Sequence, residues 1–320
     1  MYPPSVPLLV GIDENGLGPR LGPLIVTAVT ARCEGKGEKL ANGPPGKSFR
    51  TRLGDSKDLV AHGNSSLGEA WARAIAGLTG RGKEATTPDA LVAAMCIDGP
   101  ITLRSRCPSA HEAQCWSAES ETFTAEAKTL AGVTKDLERL AAKGVTIARV
   151  DVAVVCTERL NDAVVRGLSR FVVDLHTMER LALTVRGASN EDLSATCGKV
   201  GGYNRYGDHF GPLSGRLHAI VTEGRARSEY QFPGLGRMAF VRDADATNLL
   251  VGMASLVGKW VRDLLMDRVV RYHRLHNENL PAASGYHDPV TTRFIEATAL
   301  SRKTRGLPDN CFERRALPSR

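Results

Sequence analysis

Short apolar runs rich in β-branched residues alternate along this chain with longer stretches of three-to-four periodicity, the pattern of an α/β protein. Residues 8–13 and 24–31 predict two strands, the second a Leu-Ile-Val-Thr-Ala-Val-Thr run suited to the middle of a sheet. Residues 145–156, 193–197, 217–222 and 238–242 predict four more. Helices are expected over 67–79, 86–96, 118–142 and 158–183. A long one is expected from Asp245 to about Tyr272, with Leu249, Met253, Leu256, Trp260 and Leu264 on one apolar face. A last helix follows the loop at 283–289 and runs to Leu300. Residues 34–49 read as an exposed loop, 97–115 carry no assignable period, and the final twenty residues read as a basic tail.

The first strand runs into Gly11-Ile12-Asp13-Glu14-Asn15-Gly16-Leu17-Gly18-Pro19-Arg20-Leu21-Gly22. Neighbouring side chains on a regular strand point to opposite faces, so Asp13 and Glu14 converge only where the strand bends or stops. Gly16 and Gly18 supply that freedom, and the amides of residues 15–18 could then line a phosphate or sugar. Taken alone, the stretch reads equally well as a glycine-rich turn with solvated acids. Asp55-Ser56-Lys57 forms a polar turn in which Asp55 or Ser56 could cap a helix. The fourth predicted strand empties into a basic, aromatic loop, Gly198-Lys199-Val200-Gly201-Gly202-Tyr203-Asn204-Arg205-Tyr206. Lys259 lies one helical turn after Ser255 on the same face. Arg262 and Asp263 read as a structural ion pair and Asp151 as a strand acid. The three tryptophans read as core, and His209, His218, His273, His276 and His287 as surface or half-buried residues.

Composition narrows the picture. The chain has 320 residues, enough at 42% hydrophobic content for a sizeable core, and its net charge of +7 favours a polyanionic partner. Seven cysteines without any C-x-x-C pair suit neither a zinc site nor a disulfide framework and point to a reducing cytoplasm. No apolar run approaches a membrane span and no secretory leader is expected.

Five pieces in order, Gly11-Ile12-Asp13-Glu14-x-Gly-x-Gly-Pro, Asp55-Ser56-Lys57, Asp245 with Ser255 ten residues on, Lys259 with Arg262-Asp263, and Ser284-Gly285-Tyr286, resemble the ribonuclease HII family. The resemblance spans residues 10–296 and is poorest over about 33–150, where this chain carries extra material. It implies a ribonuclease H-like α/β fold: a mixed sheet flanked by helices over residues 1–275, enlarged by that insertion, then a C-terminal helical extension and basic tail over 276–320. It implies endonucleolytic cleavage of RNA in RNA–DNA hybrids, or at ribonucleotides embedded in a DNA duplex, using Mg²⁺ or Mn²⁺. Oxygen-rich carboxylate clusters suit such hard cations. A monomer is the expected state.

Carried over residue by residue, the resemblance makes Asp13, Glu14 and Asp245 the catalytic and metal-holding acids. Gly16, Leu17, Gly18, Ser56, Lys57, Lys199, Arg205, Ser255, Lys259 and Tyr286 become the substrate-binding set, with Tyr286 stacking on the ribose whose 2′-hydroxyl distinguishes RNA. Two departures stand out. Gly198 occupies the place of the family's remaining acid, and Leu17 the place of an arginine. Asp243, two residues before Asp245, would face the same side on an extended segment and could replace the missing ligand. Otherwise the site works poorly with three acids, or the chain is a non-catalytic hybrid-binding protein on the same fold.

Overall fold

The computed structural model describes residues 7–54, 59 and 65–315. Among them, seven strands pair in one mixed sheet: β1 (Leu8–Asn15), β2 (Leu24–Cys33), β3 (Val145–Val155), β4 (Leu193–Gly198), β5 (Ala219–Glu223), β6 (Arg227–Phe232) and β7 (Gly236–Val241). The order is β3-β2-β1-β4-β7-β6-β5. The pairs β1·β4 and β4·β7 are parallel and the others antiparallel.

Helices cover both faces, as the α/β reading expects. The main ones are α1 (Ser66–Thr79), α2 (Ala127–Ala141), α3 (Thr157–Val165), α4 (Arg170–Ser189), α5 (Leu249–Arg274) and α6 (Pro289–Thr304). On one face α5 lies across β1 and β2, burying Leu249, Met253, Leu256 and Trp260, with α1 beside it and α2 beyond α1, both reaching β3. Gly11 makes this closeness possible, because a Cβ there would stand 2.3 Å from the Leu250 carbonyl carbon. On the other face α4 presents Phe171, Leu175, Met178, Leu181 and Val185 to Val10, Ile12 and Cys197. A third, smaller core joins Leu21 to Met266, Phe294 and Phe312.

Several elements differ from expectation. β6 carries only two apolar residues, Tyr230 and Phe232, in Arg-Ser-Glu-Tyr-Gln-Phe, too short an alternation to signal a strand; its buried Glu229 is held by Arg227 at 2.6 Å and Arg237 at 3.2 Å. The single helix expected over 158–183 is two, parted where Gly167 turns left-handed at φ +80°. Helix α2 begins at Ala127 rather than 118, because Glu121 is drawn into ion pairs with Arg268 and Arg271 at 2.7 and 2.8 Å. Two short helices, Pro100–Arg104 and Ser109–Trp116, fill the stretch that lacked a period. Trp116 is half-buried rather than core, and His273 is fully buried rather than near the surface. The basic tail is a packed segment as far as Arg315: α6 and the turn Asp309–Phe312 lead to Arg314, which is itself buried.

Candidate functional site

Because β1 and β4 run parallel and their register ends at Ile12 opposite Cys197, the next residues of both strands emerge at one edge of the sheet. These are Asp13 and Glu14 from β1, and Gly198 from β4. β7, paired in parallel beyond β4 up to Val241, delivers residues 243–245 to that edge. The result is a cleft of about 320 Å³ lined by Asp13, Glu14, Asn15, Gly16, Gly198, Lys199, Asp243, Ala244, Asp245, Ser255, Lys259, Arg262, Asp263 and Tyr286. Of the residues expected to bind substrate, Gly16, Lys199, Ser255, Lys259 and Tyr286 line it, whereas Leu17, Gly18 and Arg205 do not. Ser56 and Lys57 lie outside the described residues.

Each acid is held differently. Asp13 is buried at the strand end and Glu14 is half-buried. Asp245 does not begin the long helix. It sits in a one-turn helix, Ala244–Thr247, separated from α5 by Asn248, whose extended backbone and side-chain oxygen cap Leu250 N and Val251 N at 3.0 Å each. One Asp245 oxygen accepts from Ala246 N at 3.1 Å. Asp243 is not on an extended segment: it adopts φ +52°, is 75% exposed and pairs with Arg242 at 3.4 Å. It stands at the cleft rim for a different reason than the alternation of a strand.

At position 198 a Cβ would lie 2.7 Å from Asp13 Oδ1 and 3.3 Å from Glu14 Oε2. The Asp13 carboxylate therefore rests where a side chain at 198 would begin, and an acid there would require it to swing away.

The glycine loop between β1 and β2 is gripped through its carbonyls. Gly16 turns at φ +89° against the Arg262 side chain. Arg314 donates to Gly16 O at 2.6 Å and twice to Gly22 O, at 2.9 and 2.7 Å. Arg170 donates to Gly18 O at 3.3 Å. Leu17 packs against the α4-side core, so its side chain serves packing. The 284–286 loop is pinned over this turn, with Arg20 N and Leu21 N donating to Gly285 O at 2.7 and 3.0 Å. Tyr286, 41% exposed, is held by the Arg262 guanidinium 4.5 Å from its ring centre. Arg262 also pairs with Asp263 at 3.3 Å and donates to Ser284 O at 2.9 Å, so the expected structural pair is also part of the cleft wall.

Lys199 points its ammonium into the β5–β6 turn, donating to Gly224 O at 2.5 Å and to Ser228 Oγ at 3.1 Å, and burial lowers its pKa. Arg205 is exposed in the same loop. The loop is anchored by Tyr206, stacked on Phe240 at 3.9 Å, and Tyr203, stacked on Phe171 at 3.7 Å.

One acid near the site was not anticipated. Asp174 of α4 is 0% exposed and neither carboxyl oxygen has a hydrogen-bond partner. Burial, and then repulsion by Asp13, raise its pKa well above the carboxylate range. The neighbouring Cys197 thiol is pushed up by burial and by Asp174, Asp13 and Glu14. Its signal was in the sequence: Phe171, Asp174, Met178, Leu181 and Val185 share one helical stripe, and Asp174 alone on it is acidic.

The donors facing the cleft are oxygens, the chemistry that Mg²⁺ and Mn²⁺ prefer, and its five carboxylates outnumber its three cations, Lys199, Lys259 and Arg262. In chemical type the set fits a divalent ion. It is not pre-gathered, since among the described residues no three His, Cys, Asp or Glu side chains stand close enough together to hold one. Among the described residues no helix is long and apolar enough to cross a membrane.

No protein-family model matches the chain, and no curated protein matches it. Among solved structures it is similar to a chain in the PCNA:RNase HII complex from Archaeoglobus fulgidus, at 17% identity over 98% of this chain and 96% of that one, with a TM-score of 0.45. It is similar to Bst-RNase HIII in complex with Mn²⁺, at 12% identity over 96% and 66%, TM-score 0.42. It is also similar to ribonuclease H2 from Pyrococcus horikoshii OT3, at 14% identity over 95% and 92%, TM-score 0.37. Likenesses this weak carry no argument about what the cleft does, which rests on its residues.

Proposed function

We propose that this chain is a ribonuclease HII-like, metal-dependent endonuclease acting on RNA in RNA–DNA hybrids or on ribonucleotides embedded in DNA, with a weakened metal site. The observation that carries this reading is the meeting of Asp13, Glu14, Asp245 and Tyr286, from three segments far apart in sequence, on one cleft. Asp13, Glu14 and Asp245 would hold Mg²⁺ or Mn²⁺, with Asp243 at the rim. Bound there, such ions make water a stronger nucleophile and neutralise the leaving oxygen. Tyr286, fixed by Arg262, presents a ring edge and hydroxyl to the ribose, where a 2′-hydroxyl separates RNA from DNA. Lys259 offers a cation to the scissile phosphate from the helix wall. The amides of the Gly16 turn, their carbonyls held by Arg314, face the strand backbone.

A metal-titrated cleavage assay on a DNA duplex carrying one ribonucleotide tests this. Slow cleavage is expected from the natural chain, none from Asp13→Asn, and a rate raised at least tenfold by Gly198→Asp. Indifference to both substitutions overturns the reading. Gly198 and the lack of a pre-gathered donor trio favour one alternative, a non-catalytic hybrid-binding protein. It predicts hybrid binding that weakens with salt, without cleavage at any metal concentration.

A further inference from the structure

We propose that a recess on the sheet beside the cleft, walled by Arg227 and Arg237, binds a backbone phosphate of the nucleic acid held at the acids. This rests on reading the cleft as a nucleic-acid site and adds an anion site that the family resemblance does not assign.

Register sets the place. Leu9, packed in the core beneath α5, pairs with Ser194 of β4, which pairs with Arg237 of β7. The next row runs from Gly11 through Thr196 and Ala239 to Glu229 of β6. Paired residues share a face, so this row of polar side chains continues the face that α5 covers over β1 and β2. Arg227, two residues before Glu229, joins it. With Arg237 it walls a recess of about 260 Å³ whose other polar sides are Asn42, Ser194, Thr196 and Thr247. Among the described residues no Asp or Glu lines this recess, whereas five line the cleft.

Both guanidiniums are oriented but not neutralised. Buried Glu229 takes Arg227 Nε at 2.6 Å and Arg237 Nη1 at 3.2 Å, and Ser194 Oγ accepts from Arg237 Nη2 at 3.2 Å. One carboxylate between two arginines leaves a positive charge over, and the side chains stay 42% and 44% exposed. A planar fork held this way matches phosphate oxygens.

The recess also has a fixed relation to the cleft. Gly198 pairs with Val241, and Val241 with Arg227. Two strand spacings therefore put Arg227 about 10 Å from Gly198, the advance of roughly three nucleotides along a duplex strand. The one-turn helix Ala244–Thr247 stands between the two sites, giving Asp245 to the cleft and Thr247 to the recess. Lys199, from the cleft wall, holds the turn that leads into Arg227 through Gly224 O and Ser228 Oγ.

The test is fluorescence anisotropy of a labelled DNA duplex carrying one ribonucleotide, titrated with the full chain in EDTA over a range of NaCl. Arg227→Gln should weaken binding about threefold or more and flatten the slope of log affinity against log salt by about one. Arg32→Gln removes an equal charge at the end of β2 away from the cleft and should change neither. Arg227→Lys keeps the charge and should keep the slope; a slope lost there too would mark packing damage and overturn the assignment. Should Arg227→Gln fail to fold, Arg237→Gln, which leaves Arg227 on Glu229, takes its place. Affinity and slope equal to the natural chain, or an equal loss in Arg32→Gln, overturn the recess and spare the reading of the cleft. Inorganic phosphate separates the sources: if it raises the melting temperature of the natural chain but not of Arg227→Gln, while duplex affinity is the same in both, the recess serves a free anion and the proposal fails. No duplex binding by the natural chain overturns both the recess and the nucleic-acid reading beneath it.

Discussion

The regions around α5 and around Asp174 of α4 treat a buried acid in opposite ways. Around α5, α1 and α2, buried carboxylates are matched to arginines or amides. Glu121 takes Arg268 and Arg271, Asp136 takes Arg52 and Arg139, Asp151 takes Arg81 and Arg149, and Glu69 accepts from Thr124 N and Ala125 N. Behind the glycine loop and at Asp174 the pattern is inverted. Arg314 and Arg170 are engaged by backbone carbonyls of the glycine loop, while Asp174 below has no donor at all. Where arginines or amides meet a buried acid they match it; at Asp174 no donor does, and burial raises its pKa instead. That contrast separates Asp151 from Asp174, although both are buried acids.

Breaking the matched side should have the largest effect. Glu121→Gln leaves Arg268, 1% exposed, with Asp89 at 2.8 Å as its remaining carboxylate, and removing one member of a buried pair costs about 3–5 kcal/mol. Urea unfolding should register that loss, with the midpoint falling and the slope unchanged. A loss below about 1 kcal/mol would mean that these networks are not structural, and the contrast with Asp174 would dissolve.

The same contrast explains what the sequence could and could not disclose. Asp13, Glu14, Asp245 and Tyr286 were legible because each sits in a short local pattern: two acids before a glycine turn, an acid ahead of a long amphipathic stretch, a Ser-Gly-Tyr loop. Six of the seven strands and the α5 face were legible from apolar runs and period. Arg262 and Arg314 act through partners roughly 25 and 300 residues away, at Tyr286 and at Gly16, and Asp174 is raised by Asp13 roughly 160 residues before it. No local pattern announces such pairings. The start of α2 was misplaced and the strand β6 was missed for a related reason, since Glu121 and Glu229 are held by ion pairs to Arg268 and Arg237.

On the cleft side, Arg314 offers an intermediate effect. Arg314→Met keeps the volume but leaves the carbonyls of Gly16 and Gly22 without their charged donor, a loss of about 2–4 kcal/mol. Burial and repulsion by Arg170 and Arg262 lower the pKa of this guanidinium, so its bonds to carbonyls already work against a cost. Hydrogen exchange should show the turn at 16–22 loosening before the sheet does. Simultaneous loosening would assign Arg314 to the global core instead of the loop.

The smallest effect is in the pH dependence, where the two sides pull in opposite directions. His273 is buried, bonded to Gln114 at 2.8 Å, and its pKa is pushed down to about 3, first by burial and then by Arg302 and Arg305. Its folded pKa lies below the unfolded value near 6.5, so the folded chain binds fewer protons. The stability it permits is complete above about pH 6.5 and is lost on acidification, at up to about 1.4 kcal/mol per unit. Glu179 of α4 has its pKa pushed up to about 7 by burial, although Gly211 N and Leu213 N donate to it at 3.1 and 2.7 Å. Its folded form binds more protons, so its contribution is complete at low pH and fades as pH rises from about 4.5 toward 7. Between about pH 4.5 and 6.5 the two slopes oppose each other. His273→Gln removes only the first, so urea midpoints of the variant relative to the natural chain should improve steadily from pH 6.5 to 4.5. Parallel pH curves for the two chains would show that His273 is not kept neutral by the fold. The matched side would then tolerate an extra buried cation, contrary to what its arginine pairings imply.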